Sequence, residues 1–475
     1  MDLPDGLIVV VKRDCPTCLL VEPVLQAIDN AGNALAVYTQ DDPEFPAVKH
    51  RIDDTDLEHS FHFDIETVPT LIRIENGREQ ARAVGWERGE WVELTGISGL
   101  GADLPPHRPG CGSKSVEPNI AERLAIRYGE FKPAARRLEV SPLEDDIEYC
   151  FERGWSDGLP VVPPTEERLY RMLQGTRRDP MEVLGEVPPN LVPLSIEKVA
   201  LNAVMAGCKP EYLPVVIAAV EAALRPEFCL HGLLATTWFS GPMVVVNGPM
   251  RKAVGMNWAG NVFGQGNRAN ATIGRALQLV IRNVGGGRPQ EADQSTFGTP
   301  GKLTFCFAED EDTPWLSLAQ QRGYDEQQST ATVFSADGVQ GVIDQSARQP
   351  EPLIDSLAGS LVGVNHASLA NASDVVIVIG PEHGRVFDEA GWTKAQVTSA
   401  LHERLQIPGK DLGMGTDDSE AKPTTATSGL VPKFRDGGVQ LIRAGGDAGL
   451  FSAIIPGWLV KGPLGTDPVT QEILL

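Results

Sequence analysis

The sequence predicts an α/β protein in which a small α/β domain precedes a larger α/β domain of unknown topology. Continuous apolar, β-branched runs, such as residues 7–11 and 375–379, are typical of strands that are buried on both faces. Segments with a helical spacing of apolar residues alternate with these runs. Because this alternation favours a layered architecture, and 475 residues exceed one ordinary domain, we expect at least two domains.

The composition excludes two classes of partner. The chain carries 41 Lys and Arg against 64 Asp and Glu, a net charge of -23, whereas nucleic acids and anionic membrane surfaces attract clustered basic side chains. No apolar run reaches the roughly 18 residues of a spanning helix, and the first residues lack the basic segment of a secretory signal. We therefore expect neither a nucleic-acid partner nor a membrane partner.

The acidic charge is concentrated near the start of the chain, since residues 1–100 hold 8 basic and 19 acidic side chains. Two interpretations stay open. The acidic side chains either form an ordinary solvated surface or a docking surface for a basic partner.

Cysteine and histidine usage bears on compartment and metal binding. The seven cysteines are an odd number spread over a long chain, which is a poor disulfide framework and favours a reducing, cytoplasmic location. No cluster of cysteine and histidine has the spacing of metal ligands, so we expect no bound metal.

The first hundred residues predict an alternating order of strands and helices. A buried strand runs into a Cys-x-x-Cys sequence at the start of a helix, and Asn76-Gly77 is typical of a hairpin turn. The predicted elements are a strand at 7–11, a helix from 15 to 28, a strand at 34–38, a mostly helical stretch at 45–63, strands at 67–74 and 80–84, and a helix at 90–97.

Three features in residues 5–98 together resemble the thioredoxin-like family in its short, glutaredoxin-sized form. Cys15 and Cys18 stand where a strand passes into a helix. Pro23 matches the proline that kinks the active helix of the family, and Pro69, after Val68, matches the cis-proline that faces the disulfide. The resemblance predicts a thioredoxin-like fold for residues 1–98.

The resemblance also implies thiol–disulfide chemistry at Cys15, Cys18 and Pro69. A helix N-terminus favours a thiolate at Cys15, and Cys18 would resolve the mixed disulfide. We expect no cofactor other than this redox-active disulfide. Asp14 replaces the aromatic residue of the family and should raise the pKa of Cys15 relative to a neutral neighbour. Val9 replaces its buried acid. A zinc-binding pair or a redox-inactive domain are the alternatives.

A Gly- and Pro-rich stretch at residues 99–118 predicts a linker between the first domain and residues 119–475. In its middle, glycines flank Cys111, which indicates an accessible thiol. This thiol is either a partner for the Cys15–Cys18 pair or an incidental linker cysteine.

The larger part, residues 119–475, contains further predicted strands and helices and a polar stretch at 414–430 that predicts a flexible loop. About residues 141–410 resemble an uncharacterised bacterial family with a "DGLPVVPPT" signature, which is encountered with (seleno)proteins named for a UGSC motif. Cys111-Gly112-Ser113 is similar to the first three letters of that motif, with Lys114 in place of its cysteine. The resemblance implies no particular reaction.

Two kinds of candidate site residue stand out in the larger part. A glycine-rich turn at 264–275 leads into a helix, whose N-terminus favours anions, and the side chains that would bind a substrate there are Arg268, Asn270 and Arg275. Asn247 and His383 follow buried strands, where α/β sheets place ligands, and His383 is the candidate general acid or base.

Asp157 is a further candidate for substrate binding. For all of these residues the alternative is an ordinary structural role, as a cap, a turn or an internal hydrogen bond.

Three functions remain open. The first is an oxidoreductase whose Cys15–Cys18 pair exchanges electrons with Cys111 or with a small-molecule or protein-thiol substrate. An external dithiol reductant would supply the electrons. The second is a lyase or hydrolase that uses His383 and the Arg268 turn and is regulated by the redox domain. The third is a non-enzymatic redox-sensing adaptor. The sequence leaves open whether the protein assembles as a homo-oligomer.

Overall fold

The computed structural model describes residues 5–412, 429–459 and 465–475. It is a mixed α/β protein with several mixed sheets, divided into two compact units, residues 1–133 and 134–475. The predicted flexible loop at 414–430 falls almost wholly outside the described residues. Within the described ranges, every helix is too short or too polar to span a membrane.

The first unit contains nine strands and four α-helices in its described part. The strands are β1 (Gly6–Val11), β2 (Leu35–Thr39), β3 (Arg51–Asp53), β4 (Thr67–Val68), β5 (Thr70–Glu75), β6 (Arg78–Val84), β7 (Trp86–Glu87), β8 (His107–Arg108) and β9 (Cys111–Gly112). The helices are α1 (Pro16–Asn30), α2 (Glu58–His62), α3 (Arg88–Thr95) and α4 (Pro118–Tyr128), with a 3-10 turn at Lys114–Val116.

Five of these strands form one mixed sheet in the order β3-β2-β1-β5-β6. The three strands β1, β2 and β3 are parallel, whereas β5 is antiparallel to both β1 and β6. The central strand β1 is buried on both faces, which explains its unbroken apolar run. Asn76 and Gly77 both have positive φ angles, as the predicted hairpin turn between β5 and β6 requires.

Two parts of the first unit differ from the sequence-based prediction. The stretch 45–63 was expected to be mostly helical, but helix α2 has five residues and β3 adds a parallel strand before it. Pro43 and Pro46 restrict the backbone there, because proline disfavours a helical conformation in the preceding residue.

Residues 99–118, predicted as a linker, lie within the first unit, where β8 pairs with β7 and β9 pairs with β4. Helix α4, predicted to belong to the larger domain, also lies in the first unit and packs against α2.

The second unit contains the remaining elements. The strands are β10 (Val183–Val187), β11 (Val192–Ser195), β12 (Gly241–Asn247), β13 (Cys306–Ala308), β14 (Thr330–Ala336), β15 (Gln340–Ile343), β16 (Ser373–Ile379), β17 (Gln406–Pro408), β18 (Leu430–Pro432), β19 (Val439–Arg443), β20 (Phe451–Leu459) and β21 (Val469–Glu472). The α-helices are α5 (Asp146–Glu152), α6 (Glu166–Leu173), α7 (Ile196–Ala206), α8 (Leu213–Leu224), α9 (Leu230–Ala235), α10 (Pro249–Ala253), α11 (Arg268–Asn283), α12 (Leu318–Gln321), α13 (Pro350–Val362), α14 (Pro381–Glu389) and α15 (Lys394–Arg404). Turns of 3-10 helix span Pro210–Tyr212, Pro226–Phe228, Pro300–Lys302 and Gly409–Asp411.

Two four-stranded mixed sheets form the centre of this unit, in the orders β13-β12-β14-β21 and β15-β20-β16-β19. Alternate side chains of a strand point to opposite faces. Val245 of the first sheet and Val376 of the second share one apolar core, whereas Ile377 belongs to a separate core with residues of α13, α14 and α15. Helices α8 and α11 pack on the first sheet. The two sheets therefore lie between outer helices, which explains the apolar runs of β12 and β16.

Candidate active site

Cys15 lies at the N-terminus of helix α1, directly after strand β1 and the short turn that follows it. It is the N-cap residue of the helix, and its sulfur accepts a hydrogen bond from the backbone N–H of Cys18 at 3.3 Å. Pro16 opens the helix, where its missing N–H has no cost. The unpaired amides and the dipole of the helix both favour a negative charge on the Cys15 sulfur.

Hydrogen bonds to the Cys15 sulfur lower the pKa of this thiol to about 5. The Cys18 thiol makes the largest contribution, the thiol of Cys111 and backbone N–H groups add to it, and burial opposes it. The negative charge of Asp14 does not reverse the shift. Cys15 is therefore ionised at neutral pH, the state in which a cysteine is a nucleophile.

Cys18 is fully buried one helical turn away. Burial and the hydrogen bond to Cys15 raise the pKa of the Cys18 thiol far above its ordinary value, so it stays protonated. All seven cysteines lie in the described part of the chain and each is a free thiol. Cys15 and Cys18 thus form a reduced pair of one thiolate and one protonated thiol.

A third thiol, Cys111, completes the cluster. Strand β9 pairs antiparallel with β4, so that Cys111 lies opposite Val68. The carbonyl oxygen of Val68 lies 3.6 Å from the Cys15 sulfur, and the peptide bond between Val68 and Pro69 is cis. Burial and the interaction with Cys15 raise the pKa of the Cys111 thiol.

The segment that carries Cys111, residues 109–115, is here called the Cys111 arm. The hydroxyl of Thr17 donates to the carbonyl of Pro109 at 2.7 Å, and the ammonium of Lys12 donates to the carbonyl of Gly112 at 2.8 Å. A Cβ atom on Gly110 would lie 2.6 Å from the carbonyl oxygen of Val68, so only glycine permits this approach. The arm is thereby held against the start of α1.

A buried polar network, which sequence reasoning missed, holds the far end of the arm. The Gln40 side chain donates to the hydroxyls of Ser60 at 2.8 Å and Ser113 at 2.6 Å, and the hydroxyl of Ser60 donates to Asp54. Ser113 also shares a hydrogen bond of 2.6 Å with the hydroxyl of Ser115. Ser113 and Ser115, just after Cys111, are the only hint of this network in the sequence. Its other members, such as Gln40, are remote in the sequence.

In the second unit, the structure gives His383 a fully buried position with both ring nitrogens engaged. Nδ1 lies 2.8 Å from the hydroxyl of Ser452, and Nε2 lies 3.1 Å from the carbonyl oxygen of Asp344. Burial lowers the pKa of His383, so the ring is neutral at pH 7. Such a histidine joins helix α14 to strand β20 and to the residue after β15, and it has no free nitrogen for a substrate.

Arg275 and Asp157 are brought together, but they bind each other. Two guanidinium nitrogens of Arg275 donate to the Asp157 carboxylate at 2.8 Å each, and the same side chain donates to the carbonyls of Leu159 and Pro160. This pairing fastens the loop that holds residues 157–160 to helix α11. Arg268 donates to the carbonyl of Gly207 at 2.9 Å.

The two asparagines also have internal partners. The Asn270 side chain exchanges two hydrogen bonds with the backbone of Asn257, at 3.0 and 2.9 Å. The amide of Asn247 donates to Glu309 at 2.6 Å and to Glu311 at 2.9 Å.

Glu309 and Glu311 belong to a buried charge cluster that sequence reasoning missed. Lys394 pairs with Glu309 at 3.4 Å, and Arg251 pairs with Glu311 at 3.1 Å. A run of four acidic residues at 309–312, directly after a buried strand, was the available signal. Because each acid has a basic partner, this cluster joins the segment after β13 to helices α10 and α15.

Four predicted residues, Cys15, Cys18, Pro69 and Cys111, thus meet in the first unit. The predicted residues of the second unit are distributed over separate internal contacts. Within the described ranges, His, Cys, Asp and Glu side chains form no group of three or more arranged to hold a metal ion.

Comparison with known proteins does not identify a family for this chain. The chain matches no known family, and no curated protein is significantly similar to it. The function is therefore inferred from the three thiols and their surroundings.

Proposed function

We propose that the first unit is a thioredoxin-like thiol–disulfide oxidoreductase module with Cys15 as nucleophile and Cys18 as resolving thiol. The observation that carries this proposal is the position of the Cys15 sulfur at the N-terminus of α1, where it accepts the Cys18 N–H and contacts the protonated Cys18 thiol. This is an arrangement in which a thiolate forms and a second thiol is at hand to displace the product.

The proposed reaction has two exchange steps. The Cys15 thiolate attacks one sulfur of a substrate disulfide, a bond forms between them, and the other substrate sulfur leaves as a thiolate. Cys18 then loses its proton and attacks the Cys15 sulfur, which releases the second substrate thiolate and forms the Cys15–Cys18 disulfide. The substrate gains two electrons, and an external dithiol that is itself oxidised to a disulfide restores the reduced pair.

Several observations support the thioredoxin-like assignment. The sheet has parallel β1 and β2 joined by α1, Pro23 lies inside α1, and the bond before Pro69 is cis. Val9, on β1, is fully buried where the family has an acid, so the proton of Cys18 needs another route to solvent. The likeness of residues 141–410 to the bacterial "DGLPVVPPT" family is a separate proposal, and it assigns no reaction.

The other two hypotheses receive less support. A lyase or hydrolase reaction through His383 and Arg268 requires side chains that are free to meet a substrate, whereas the contacts of His383 are internal. A redox-sensing adaptor would also use a low-pKa cysteine, but sensor thiols are solvent-accessible, whereas Cys15 is buried.

The direct test measures reduction of oxidised glutathione by the full chain, with dithiothreitol as the electron source. We expect Cys15→Ser to lower the rate by about a hundredfold or more, because it removes the nucleophile. Cys229→Ser, which alters a partly exposed thiol of the second unit, is the matched control and should keep the wild-type rate. An unchanged rate in Cys15→Ser would overturn the proposal.

A further inference from the structure

The three thiols differ sharply in their access to solvent. Cys15 is 1% exposed and Cys18 is 0% exposed, although Cys15 is the nucleophile of the proposed reaction. Cys111 lies beside them and is partly exposed. An external disulfide or dithiol therefore meets Cys111 before it meets Cys15.

The Cys111 arm produces this difference. The β4–β9 pairing, the Thr17 hydroxyl on Pro109 and the Lys12 ammonium on Gly112 hold the arm against the start of α1. The Gln40–Ser113 hydrogen bond fixes the end of the arm inside the unit. Cys15 is thus covered by an ordered, many-point contact of the chain itself.

We propose that Cys111 is the entry thiol of the module: external thiols and disulfides exchange at Cys111, and Cys15 exchanges with Cys111. This inference rests on the proposed function and assigns its point of contact with the outside. It predicts a Cys15–Cys111 disulfide as the intermediate between the external partner and the buried Cys15–Cys18 pair.

Every step of this relay is a balanced exchange. Cys111 loses its proton to solvent and attacks an external disulfide, which releases one external thiolate and leaves the other external sulfur bonded to Cys111. The Cys15 thiolate then attacks the Cys111 sulfur, expels the second external thiolate and forms the Cys15–Cys111 disulfide. Cys18 next loses its proton to solvent and attacks the Cys15 sulfur, which breaks the Cys15–Cys111 bond and frees Cys111 as a thiolate.

In the reverse direction an external thiolate attacks Cys111 in the bridged form, and Cys15 is the leaving group. An external thiolate should therefore attack Cys111 for two reasons. Cys111 is the more exposed sulfur of the bridge, and Cys15, as a thiol of low pKa, is the better leaving group.

The test uses the full chain with Cys18→Ser, so that exchange stops at the proposed intermediate. We measure its reaction with oxidised glutathione in two ways: by the rate at which glutathione is released, and by peptide mapping of the disulfides that form. The comparison is the double variant Cys18→Ser, Cys111→Ser. Serine keeps a hydrogen-bond donor beside Cys15, so this change removes the exchangeable sulfur alone.

We expect the double variant to release glutathione at least about tenfold more slowly, because Cys15 remains covered. The single variant should end with a Cys15–Cys111 disulfide. Equal rates, or glutathione bound to Cys15 in the single variant, would overturn the inference.

Cys18→Ser, Cys111→Ala is a second double variant, and its circular dichroism is compared with that of the wild type. A folded alanine variant that reacts as fast as Cys18→Ser would also overturn the inference. Failure of the proposed function itself has a different signature, since Cys15→Ser would then leave the turnover of the otherwise wild-type chain intact.

Discussion

Val68 and Cys111 lie opposite each other in an antiparallel pair of two-residue strands, and the carbonyl oxygen of Val68 is 3.6 Å from the Cys15 sulfur. This short backbone ladder brings a third thiol to the Cys15–Cys18 pair. The cluster therefore depends on the Cys111 arm as much as on helix α1.

The first prediction concerns the close approach of Gly110 to strand β4. A Cβ atom there would overlap Thr67 and the Val68 carbonyl, so Gly110→Ala should detach the arm. Without the Cys111 hydrogen bond the pKa of Cys15 should rise, and a bulky maleimide should label Cys15 about tenfold faster than in the wild type.

Gly112→Ala is the matched control, because a Cβ on Gly112 meets no heavy atom of the described residues within 4 Å. Peptide mapping after timed labelling measures both variants. Equal labelling of Cys15 in the two variants would show that the arm does not cover this thiol.

The second prediction concerns the pH dependence of Cys15. Thiolate ultraviolet absorbance, taken as the difference between the wild type and Cys15→Ser, should titrate with a midpoint near pH 5. Cys18→Ala should shift the midpoint upward, because the Cys18 thiol contributes most to the lowered pKa. A midpoint near the ordinary thiol value of about 8.5 would contradict the assignment.

The same shift links pH to the stability of the first unit. The pKa of Cys15 is lower in the folded than in the unfolded chain, so the ionised thiol stabilises the fold fully above pH about 8.5, and this contribution is lost as the pH falls toward 5. Urea unfolding of the reduced protein should show this loss, and Cys15→Ser should lack it.

The third prediction concerns the buried polar network beneath the arm. Ser113→Ala removes a hydroxyl that is bonded to both Gln40 and Ser115. The free energy of unfolding of the first unit should fall by about 1–3 kcal/mol, because buried polar groups lose a partner. Ser98→Ala, at an exposed serine, should change it by less than about 0.5 kcal/mol in the same denaturant titration.

The fourth prediction separates a structural from a substrate-binding role for Arg275. Arg275→Ala leaves the mostly buried Asp157 carboxylate without its partner, and we expect a loss of about 3–5 kcal/mol in the unfolding of the second unit. Adding Asp157→Asn should recover part of this loss, since it removes the unpaired charge.

Arg268→Ala, which loses one hydrogen bond to a carbonyl from an exposed position, should cost about 1 kcal/mol or less. Thermal and denaturant unfolding of Arg275→Ala, of the double variant with Asp157→Asn and of Arg268→Ala measures these stability losses. An Arg275→Ala protein as stable as the wild type would leave substrate binding as the better explanation of this residue.

Local patterns in the sequence were sufficient for the elements around the Cys15–Cys18 pair. The apolar run at 7–11 and the turn at Asn76-Gly77 each act over a few residues, and the structure has a strand and a hairpin there. The cis bond before Pro69 was expected from the thioredoxin-like resemblance, and the structure has it. The mixed α/β architecture follows from the same kind of signal.

Contacts between residues far apart in the chain could not be predicted from the sequence. The two-residue strand at Cys111 has too few residues to show a period, and its partner at Val68 lies in a different part of the chain. Arg275 and Asp157 each have the chemistry of a ligand-binding residue when considered alone. Their mutual pairing, across 118 positions, becomes evident with the fold.

The most direct test of this thiol–disulfide site is the disulfide map of the full chain after mild oxidation with oxidised glutathione under native conditions. We expect Cys15 to be bridged first, to Cys111 in the intermediate and to Cys18 in the final product. We expect Cys150, Cys208, Cys229 and Cys306 to remain free thiols at that stage. A map in which Cys15 stays a free thiol while other cysteines are oxidised would contradict the assignment of this site.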